Sequence, residues 1–278
     1  MRRQILWLIL VVSFVLGGSL PAEEKRTVAK VDVTESKWHD FSKQSFKVEE
    51  SPCFVVVPAM AAPGKPWVWR TSFPDFHAEV DIELVKQGFH IGHIDVVGML
   101  GADPALDLMD KFYELVRQQW GLAEKPALEG VSRGGLHSYR YAARHPARIA
   151  CLYADTPVMD LKSWPMKRAD AKQALLEGLK YYGLKSADEL IAFKGNPIDL
   201  LEPIAKAKIP LRHVISLNDK VVPPEENTLE AARRLKALGW EMEIVSVPEG
   251  NNLEGHHFPL PEIPESVAFF VKYASSQK

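Results

Sequence analysis

A serine flanked by glycines is the first feature of this sequence that could carry chemistry. Ser132 is the centre of Gly130-Val-Ser-Arg-Gly134, a G-x-S-x-G pentapeptide followed by one more glycine. In such a pentapeptide the serine can occupy a sharp turn between a strand and a helix, because glycines lack the Cβ that would keep the two elements apart. The flanking residues predict those elements, a buried strand over 125–130 and a helix over 134–144. Ser132 is therefore predicted to be an exposed nucleophile.

Two aspartates further along the chain are candidates for the carboxylate of a catalytic triad. A serine hydroxyl is a weak nucleophile at neutral pH and needs a base, normally a histidine held by a carboxylate. Asp219 follows an apolar run over 210–217 and precedes two valines and a proline, so we expect it at the end of a strand, where it can orient the base. Asp155, after the strand that follows Ser132, is the alternative acid.

A pair of adjacent histidines supplies the candidate base. His256 and His257 follow Gly255 in the loop between the last predicted strand and the last predicted helix. We assign His256, next to the glycine, as the base and keep His257 as the alternative. Adjacent residues seldom bind one metal ion together, and no spaced cluster of histidines or cysteines accompanies the pair. The sequence therefore predicts a Ser132–His256–Asp219 triad and implies neither a metal ion nor a cofactor.

Alternating strand and helix patterns must position these residues. They predict an α/β fold with a mostly parallel, doubly wound sheet, in which ligands bind beyond the carboxyl ends of the strands. After an amino-terminal hairpin over 27–33 and 44–50, the predicted strands are 53–58, 89–97, 125–130, 149–154, 210–217 and 240–247, and the predicted helices are 75–87, 104–120, 134–144, 224–238 and 261–273. Residues 156–208 interrupt the alternation, and we expect them to form a small helical insertion over the site.

Residues 59–74 contain too much proline for a regular element and are predicted to form an irregular loop. This loop carries Trp67, Trp69 and Arg70, and the predicted insertion carries Trp164. We expect these tryptophans at the mouth of the site. Arg70, close to two of them in the sequence, could bind a carboxylate or stack on a sugar there. The alternative is that the tryptophans close a small core beneath the loop.

The overall composition is that of one globular domain. The 278 residues carry 34 basic and 36 acidic side chains, and 46% are hydrophobic, which is enough for an ample core. Because the charge is balanced, nothing indicates nucleic acid as a partner or binding to an anionic membrane surface.

The amino terminus has the pattern of an export signal. Arg2 and Arg3 precede an apolar stretch over 5–16, and small residues follow up to Ala22. Cleavage near Ala22 would remove residues 1–22 and leave a domain over 23–278 that is secreted or periplasmic, with no stable membrane partner. An uncleaved anchor is the alternative, although the apolar stretch is shorter than the roughly 20 residues that span a bilayer.

The two cysteines, Cys53 and Cys151, each stand at the start of a predicted strand. The predicted sheet places the strand that leads to Ser132 between them. Strands two apart are separated by about 9–10 Å, which is too far for a disulfide bond. We therefore predict two buried free thiols.

With Gly130-Val-Ser-Arg-Gly134, Asp219 before Val-Val-Pro, and Gly255-His256 in this order, the sequence resembles the α/β-hydrolase superfamily. The resemblance covers essentially the whole chain after the signal. It implies an oxyanion hole formed by the main-chain N–H of Arg133 and by one N–H from the loop after Pro58, at Ala59 or Met60. The sequence departs from many members in that loop, where it has Pro58-Ala59 in place of a His-Gly pair.

Arg133 is also similar to an arginine that glucuronoyl esterases place directly after the serine, where its guanidinium can face the oxyanion. In this chain it could equally form a salt bridge on the helix.

The leading functional prediction is a secreted serine hydrolase that works through an acyl-enzyme. A carboxylic ester is the expected substrate, with a small-molecule or carbohydrate ester as the partner. A serine peptidase of the same fold is the runner-up, and a non-catalytic α/β-hydrolase that only binds its ligand is the alternative from a different class.

Overall fold

The computed structural model describes residues 31–275 of the chain. The predicted export signal over 1–22 and most of the first predicted strand lie outside these residues. Across the described part, none of the helices is long and apolar enough to cross a membrane.

Nine strands and eight α-helices make up the described chain. The strands are β1 (Thr34–Trp38), β2 (Phe41–Val48), β3 (Ser51–Val57), β4 (Trp67–Arg70), β5 (His90–Ile94), β6 (Ala127–Val131), β7 (Cys151–Asp155), β8 (Leu211–Ser216) and β9 (Glu243–Val247). The helices are α1 (Glu79–Lys86), α2 (Asp103–Trp120), α3 (Gly134–Arg144), α4 (Lys172–Tyr181), α5 (Ala187–Ala192), α6 (Leu201–Lys206), α7 (Thr228–Ala237) and α8 (Ile263–Ala274).

All nine strands form one sheet in the order β1-β2-β3-β5-β4-β6-β7-β8-β9. The first three strands are antiparallel, and β3 is also antiparallel to β5. The six strands from β5 to β9 are parallel to one another. Their carboxyl ends therefore lie at one edge of the sheet, and the mostly parallel α/β prediction is confirmed.

Helices cover both faces of the sheet, because the strands of its centre are buried on both sides. One core packs α2, α3 and α6 against the sheet through residues such as Phe112, Tyr139 and Ile204. The other core packs α1 and α8 against the opposite face through residues such as Leu84 and Phe270.

The structure corrects the prediction of an irregular loop over 59–74, because β4 lies inside it. All four residues of β4 are buried, since the strand pairs with β5 on one side and β6 on the other. Trp67 and Trp69 point into one core and Val68 into the other. Pro66 and Pro74 flank this short strand and do not interrupt its hydrogen bonds, because they lie outside the paired residues.

The amino-terminal hairpin also differs from the prediction, because β1 and β2 are joined tightly at His39 and Asp40. Strand β1 lies between the two predicted strands and ends at Trp38. The first four residues of β1 are exposed. An exposed strand shows no hydrophobic alternation, so the sequence pattern could not reveal it.

The segment between β7 and β8 covers the carboxyl edge of the sheet. A separate hydrophobic cluster joins Val158, Trp164 and Leu190 of this segment to Leu100 and Leu136 of the main body. Helix α6, by contrast, packs into the main core through Leu201 and Ile204. The covering segment therefore comprises about residues 156–200 and ends before the predicted limit of 208.

Cys53 and Cys151 are both buried and free, as predicted. The strands that carry the two cysteines are farther apart than predicted, because β5, β4 and β6 all lie between β3 and β7. Burial raises the pKa of the Cys53 thiol to about 12 and also raises the pKa of Cys151.

From two buried histidines we predict that the free energy of unfolding decreases in weak acid. Burial lowers the pKa of His137 to about 4 and that of His213 to about 3, against about 6.5 in an unfolded chain. As the pH falls, the unfolded state binds these protons first, so the free energy of unfolding should decrease from about pH 6.5 to about pH 4. The contribution of each histidine has a slope of up to about 1.4 kcal/mol per pH unit.

Urea unfolding at pH 7, 6 and 5 measures this decline. His213 is held between the hydroxyls of Tyr139 and Thr228. The variant His213→Asn should show a shallower decline than the wild type, since it removes one of the buried histidines whose pKa is lowered. A free energy of unfolding that is constant from pH 7 to pH 5 would contradict the prediction.

Candidate active site

Ser132 lies in a tight turn between β6 and α3, with a positive φ of 51°. Its N–H donates a hydrogen bond to the carbonyl of Asp155 at 2.8 Å. Its own carbonyl accepts hydrogen bonds from the N–H groups of Gly135 and Val158, at 3.0 and 2.9 Å. The main chain on both sides of Ser132 is thus fixed, and the predicted strand, turn and helix are confirmed.

Two glycines make this turn possible. A Cβ on Gly130 would lie 2.6 Å from Oγ of Ser138 and 2.8 Å from the carbonyl oxygen of Gly134. A Cβ on Gly134 would lie only 2.0 Å from Oγ of Ser72. Larger residues at either position would separate the turn from its neighbours, which is the physical reason for the G-x-S-x-G pattern.

The structure brings Ser132, His256 and Asp219 together. Nε2 of His256 lies 3.1 Å from Oγ of Ser132, and its Nδ1 lies 2.7 Å from Oδ2 of Asp219. Oδ1 of Asp219 accepts hydrogen bonds from the N–H groups of Val221 and Val222 at 2.8 and 2.9 Å. Both carboxylate oxygens therefore have partners, and the imidazole is held in a position to accept the serine proton.

The loops after β8 and β9 hold this geometry. Oδ1 of Asn218 accepts a hydrogen bond from the N–H of Gly250 at 2.7 Å, which ties the two loops together next to Asp219. Gly255 has a φ of 88°, and a Cβ there would lie 2.5 Å from the carbonyl oxygen of Asn218. The glycine before His256 thus allows the loop carrying the imidazole to approach the loop carrying its carboxylate.

The alternative base is placed differently. His257 forms its hydrogen bonds through the main chain, with Asn251 and Asn252. Its ring packs against Phe76, with centroids 4.7 Å apart, and lines the cavity beside Ser132. The geometry thus joins His256, not His257, to both the serine and the carboxylate.

The alternative acid, Asp155, pairs with a histidine that sequence reasoning missed. Nδ1 of His77 lies 2.5 Å from Oδ2 of Asp155, and its Nε2 lies 2.8 Å from the carbonyl oxygen of Phe258. Burial alone would lower the pKa of His77, but the hydrogen bond and charge of Asp155 and the carbonyl of Phe258 raise it above its ordinary value. Both ring nitrogens face acceptors, so His77 joins the end of β7 to the loop after His256, and these contacts favour its charged form.

No local signal marks His77, because its two partners are 78 and 181 residues away along the chain.

Arg70 and Trp69 lie in the core, which corrects their predicted place at the mouth of the site. Both side chains are fully buried because β4 is a central strand. Trp69 packs against Trp67, Phe112 and Tyr141, as in the alternative reading of a closed core.

The guanidinium of Arg70 donates hydrogen bonds to Asp81 and Glu129, at 2.7 Å each, and to the carbonyl oxygens of Phe73 and Phe76, at 2.6 and 2.5 Å. Arg70 therefore holds the loop after β4 through these two carbonyl oxygens and is not free to bind a carboxylate or a sugar.

Ala59 and Met60 also lie away from Ser132, which corrects the expected position of the oxyanion loop. Strand β3 runs antiparallel to β5, so the residues that follow it leave the sheet at the edge opposite the parallel carboxyl ends. Met60 is exposed there, and its carbonyl lies close to Gly88, before the start of β5. The loop that reaches Ser132 instead follows β4.

A cavity of about 320 Å³ opens beside Ser132. It is lined by Phe73, Phe76, Val131, Ser132, Arg133, Trp164, Val221, Leu253, His256 and His257. Of the three tryptophans expected at the mouth, only Trp164 lines it. The guanidinium of Arg133 lies over the rings of Trp164 and Phe73, at 4.9 and 5.7 Å from their centroids, and not in a salt bridge on the helix.

Solved structures share this fold. The chain has a TM-score of 0.63 and 16% identity to a puromycin-hydrolysing peptidase of Mycobacterium tuberculosis, over 81% of this chain and 38% of that one. An acylaminoacyl peptidase of Pyrococcus horikoshii has a TM-score of 0.61 and 15% identity, over 90% of this chain and 42% of that one. The chain thus spans about two fifths of the length of these peptidases.

An S-formylglutathione hydrolase of Agrobacterium tumefaciens has a TM-score of 0.63 and 14% identity, over 87% of this chain and 99% of the hydrolase. These likenesses confirm the α/β-hydrolase fold. A search of curated protein sequences finds no significant match.

The family comparison covers the part of the chain that carries the triad. The model of the prolyl oligopeptidase family matches residues 93–277, which include Ser132, Asp219 and His256. This match extends over more than half of the sequence and agrees with the fold and with the order of the three residues. The chain has the α/β-hydrolase fold and belongs to the prolyl oligopeptidase family.

Proposed function

We propose that this protein is a carboxylic ester hydrolase that works through an acyl-enzyme on Ser132. The main support is the continuous hydrogen-bond chain from Oγ of Ser132 through His256 to Asp219, beside a small cavity. Ser132 attacks the ester carbonyl carbon while His256 accepts the hydroxyl proton. The bond to the leaving alcohol then breaks, and His256 returns that proton to the alcohol oxygen.

Water completes the reaction. It attacks the acyl-enzyme while His256 accepts one of its protons, and the bond from the acyl carbon to Oγ of Ser132 breaks. His256 then returns the proton to the serine, and a carboxylic acid leaves. Asp219 holds the imidazole in the required tautomer and stabilises its charged form through both stages.

We assign the oxyanion hole to the main-chain N–H groups of Arg133 and Phe73. The N–H of Thr71 donates to the main-chain carbonyl of Glu129 at 2.8 Å, and Oγ of Ser72 donates to the carbonyl of Val131 at 2.8 Å, so the loop after β4 is held at the end of β6. Phe73 follows directly and lines the same cavity as Ser132. Two such donors near the developing oxyanion are the usual arrangement for acyl transfer.

The lining of the cavity supports an ester over the amino-terminal end of a peptide. Among the described lining residues there is no carboxylate that could bind a free amino group, and the guanidinium of Arg133 would repel one. The other walls are mainly aromatic and aliphatic, which suits a small acyl or alcohol group. The presence of an S-formylglutathione hydrolase among the similar structures also supports this choice.

A serine peptidase is the second candidate. It is favoured by the match to the prolyl oligopeptidase family over residues 93–277 and by the acylaminoacyl peptidase among the similar structures. The triad could cleave an amide by the same steps, with His256 protonating the leaving amine.

We also propose that the protein is exported, on the basis of the signal pattern over 1–22, and that a carbohydrate ester is a substrate. Trp164 at the cavity wall supports the second point, because an indole face can pack against a sugar ring.

Fluorophosphonate labelling read by intact mass tests the proposal. We expect one adduct on the wild type, none on Ser132→Ala, much slower labelling of His256→Ala and normal labelling of His257→Ala. The matched substrates 4-nitrophenyl acetate and 4-nitroacetanilide then separate the candidates. Faster cleavage of the anilide would favour the peptidase, and a wild type that forms no adduct would favour a binding protein.

A further inference from the structure

Arg133 carries a charge that the catalytic steps above do not use. Its main-chain N–H is assigned to the oxyanion hole, but its side chain lies in the cavity beside Ser132. Phe73 and Trp164, whose rings lie under the guanidinium, are both cavity walls. The charged group is therefore part of the surface that a substrate would meet.

The guanidinium has no ion-pair partner within the described chain. No carboxylate of residues 31–275 lies within salt-bridge distance of it, and Glu177 of α4 acts on it only from farther away. Burial lowers the pKa of Arg133, and the charge of Glu177 offsets this effect only in part. The buried arginines of the described residues are paired with carboxylates, Arg70 with Asp81 and Glu129 and Arg212 with Glu243 and Glu262. The half-buried guanidinium beside the nucleophile has no such partner and is available to an anion from outside the chain.

The chemistry of that partner follows from the charge of the walls. Arg133 is the only permanently charged side chain among the described lining residues, and the remaining walls are largely apolar. One positive charge matches one negative charge, and the planar guanidinium fits the two oxygens of a carboxylate. A phosphate monoester, with nearly two charges, would leave one of them unpaired among apolar walls.

We propose that Arg133 selects ester substrates that bear a free carboxylate near the scissile bond. The inference rests on the proposed ester hydrolase function and names its substrate class. It differs from a role of the same guanidinium at the oxyanion, which every ester develops and which would accelerate neutral and anionic substrates alike.

Two matched substrates distinguish these roles. The first is 4-nitrophenyl hydrogen succinate, whose acyl group ends in a carboxylate, and the second is its methyl ester, which is neutral. We expect the wild type to have a kcat/KM for the succinate about 10–100-fold above that for the methyl ester. Arg133→Gln should abolish this preference, and Arg133→Lys should retain part of it, since lysine keeps the charge without the planar pair of donors.

Two control variants separate recognition from a general effect of charge. Arg233 is exposed and binds Glu230 on the outer face of α7, so Arg233→Gln should keep the preference. Glu177→Gln should keep or increase it, because Arg133 would then lack its distant counter-charge.

The outcomes of this experiment are separable. Equal kcat/KM values of the wild type for both esters would overturn the inference while leaving the hydrolase function intact, and so would a fall in both rates of Arg133→Gln by the same factor. Cleavage of neither ester, together with a lack of fluorophosphonate labelling, would instead refute the proposed function.

Discussion

Replacing Asp219 with asparagine is expected to lower kcat for ester hydrolysis by about 10⁴-fold. In the wild type the N–H at Nδ1 of His256 donates to the carboxylate of Asp219 at 2.7 Å. An asparagine can offer its amide N–H₂ to this nitrogen, which favours the tautomer with the proton on Nε2. That tautomer cannot accept the proton of Ser132. Initial rates with 4-nitrophenyl acetate, after circular dichroism has verified folding, measure the loss.

Asp155→Asn is the matched control, because Asp155 is the other acidic residue at the carboxyl edge of the sheet beside Ser132. Its side chain bonds His77 and not His256. We therefore expect a much smaller loss of kcat from Asp155→Asn than from Asp219→Asn. The reverse order of the two losses would contradict the assignment of the acid.

Replacing Arg70 with methionine is expected to lower the free energy of unfolding by about 3–5 kcal/mol. Arg70, Asp81 and Glu129 are all fully or almost fully buried, and the single cation faces both carboxyl groups. Without the guanidinium, the charge of Asp81 stays buried without a counter-ion. The carbonyl oxygens of Phe73 and Phe76 also lose their hydrogen bonds. Denaturant unfolding at pH 7 gives the magnitude.

The protonation of this buried cluster provides an internal control. Burial raises the pKa of Glu129 well above its ordinary value, although the charge of Arg70 opposes the shift. Burial also raises the pKa of Asp81, and both carboxyl groups contact the same guanidinium. Glu129→Gln should therefore cost about 1 kcal/mol or less, since it removes one of two competing carboxyl groups and leaves the Arg70–Asp81 pair intact. A cost as large as that of Arg70→Met would contradict this expectation.

Arg70 also links stability to the site. The strand that carries it ends three residues before Phe73, to which we assign an oxyanion donor. The two carbonyl hydrogen bonds of its guanidinium fix the loop over 73–76, and Phe76 in turn packs against His257. A residue expected at the mouth of the cavity thus supports the cavity from within the core.

The sequence by itself was sufficient for the parts of this protein that depend on local patterns. Ser132 could be recognised because a tight turn between a strand and a helix requires glycines at fixed positions around it. Asp219 and His256 could be recognised because each follows a predicted strand, and parallel strands end at one edge of a sheet. The long amphipathic helix α2 was predicted almost to the residue, since its apolar period extends over 18 residues.

Only the tertiary structure decided the features that depend on which strands are neighbours. The four residues of β4 are too few for a periodic signal, so this strand became visible only through its pairing with β5 and β6. Because β4 is missing from the predicted strands, the oxyanion loop was expected at Ala59 and Met60, and Arg70 and Trp69 were expected at the mouth of the site. The pairing of His77 with Asp155 and the unpaired state of Arg133 likewise depend on distances between residues far apart in the chain. Local sequence determines which side chains can react, whereas packing determines which of them remain without a partner.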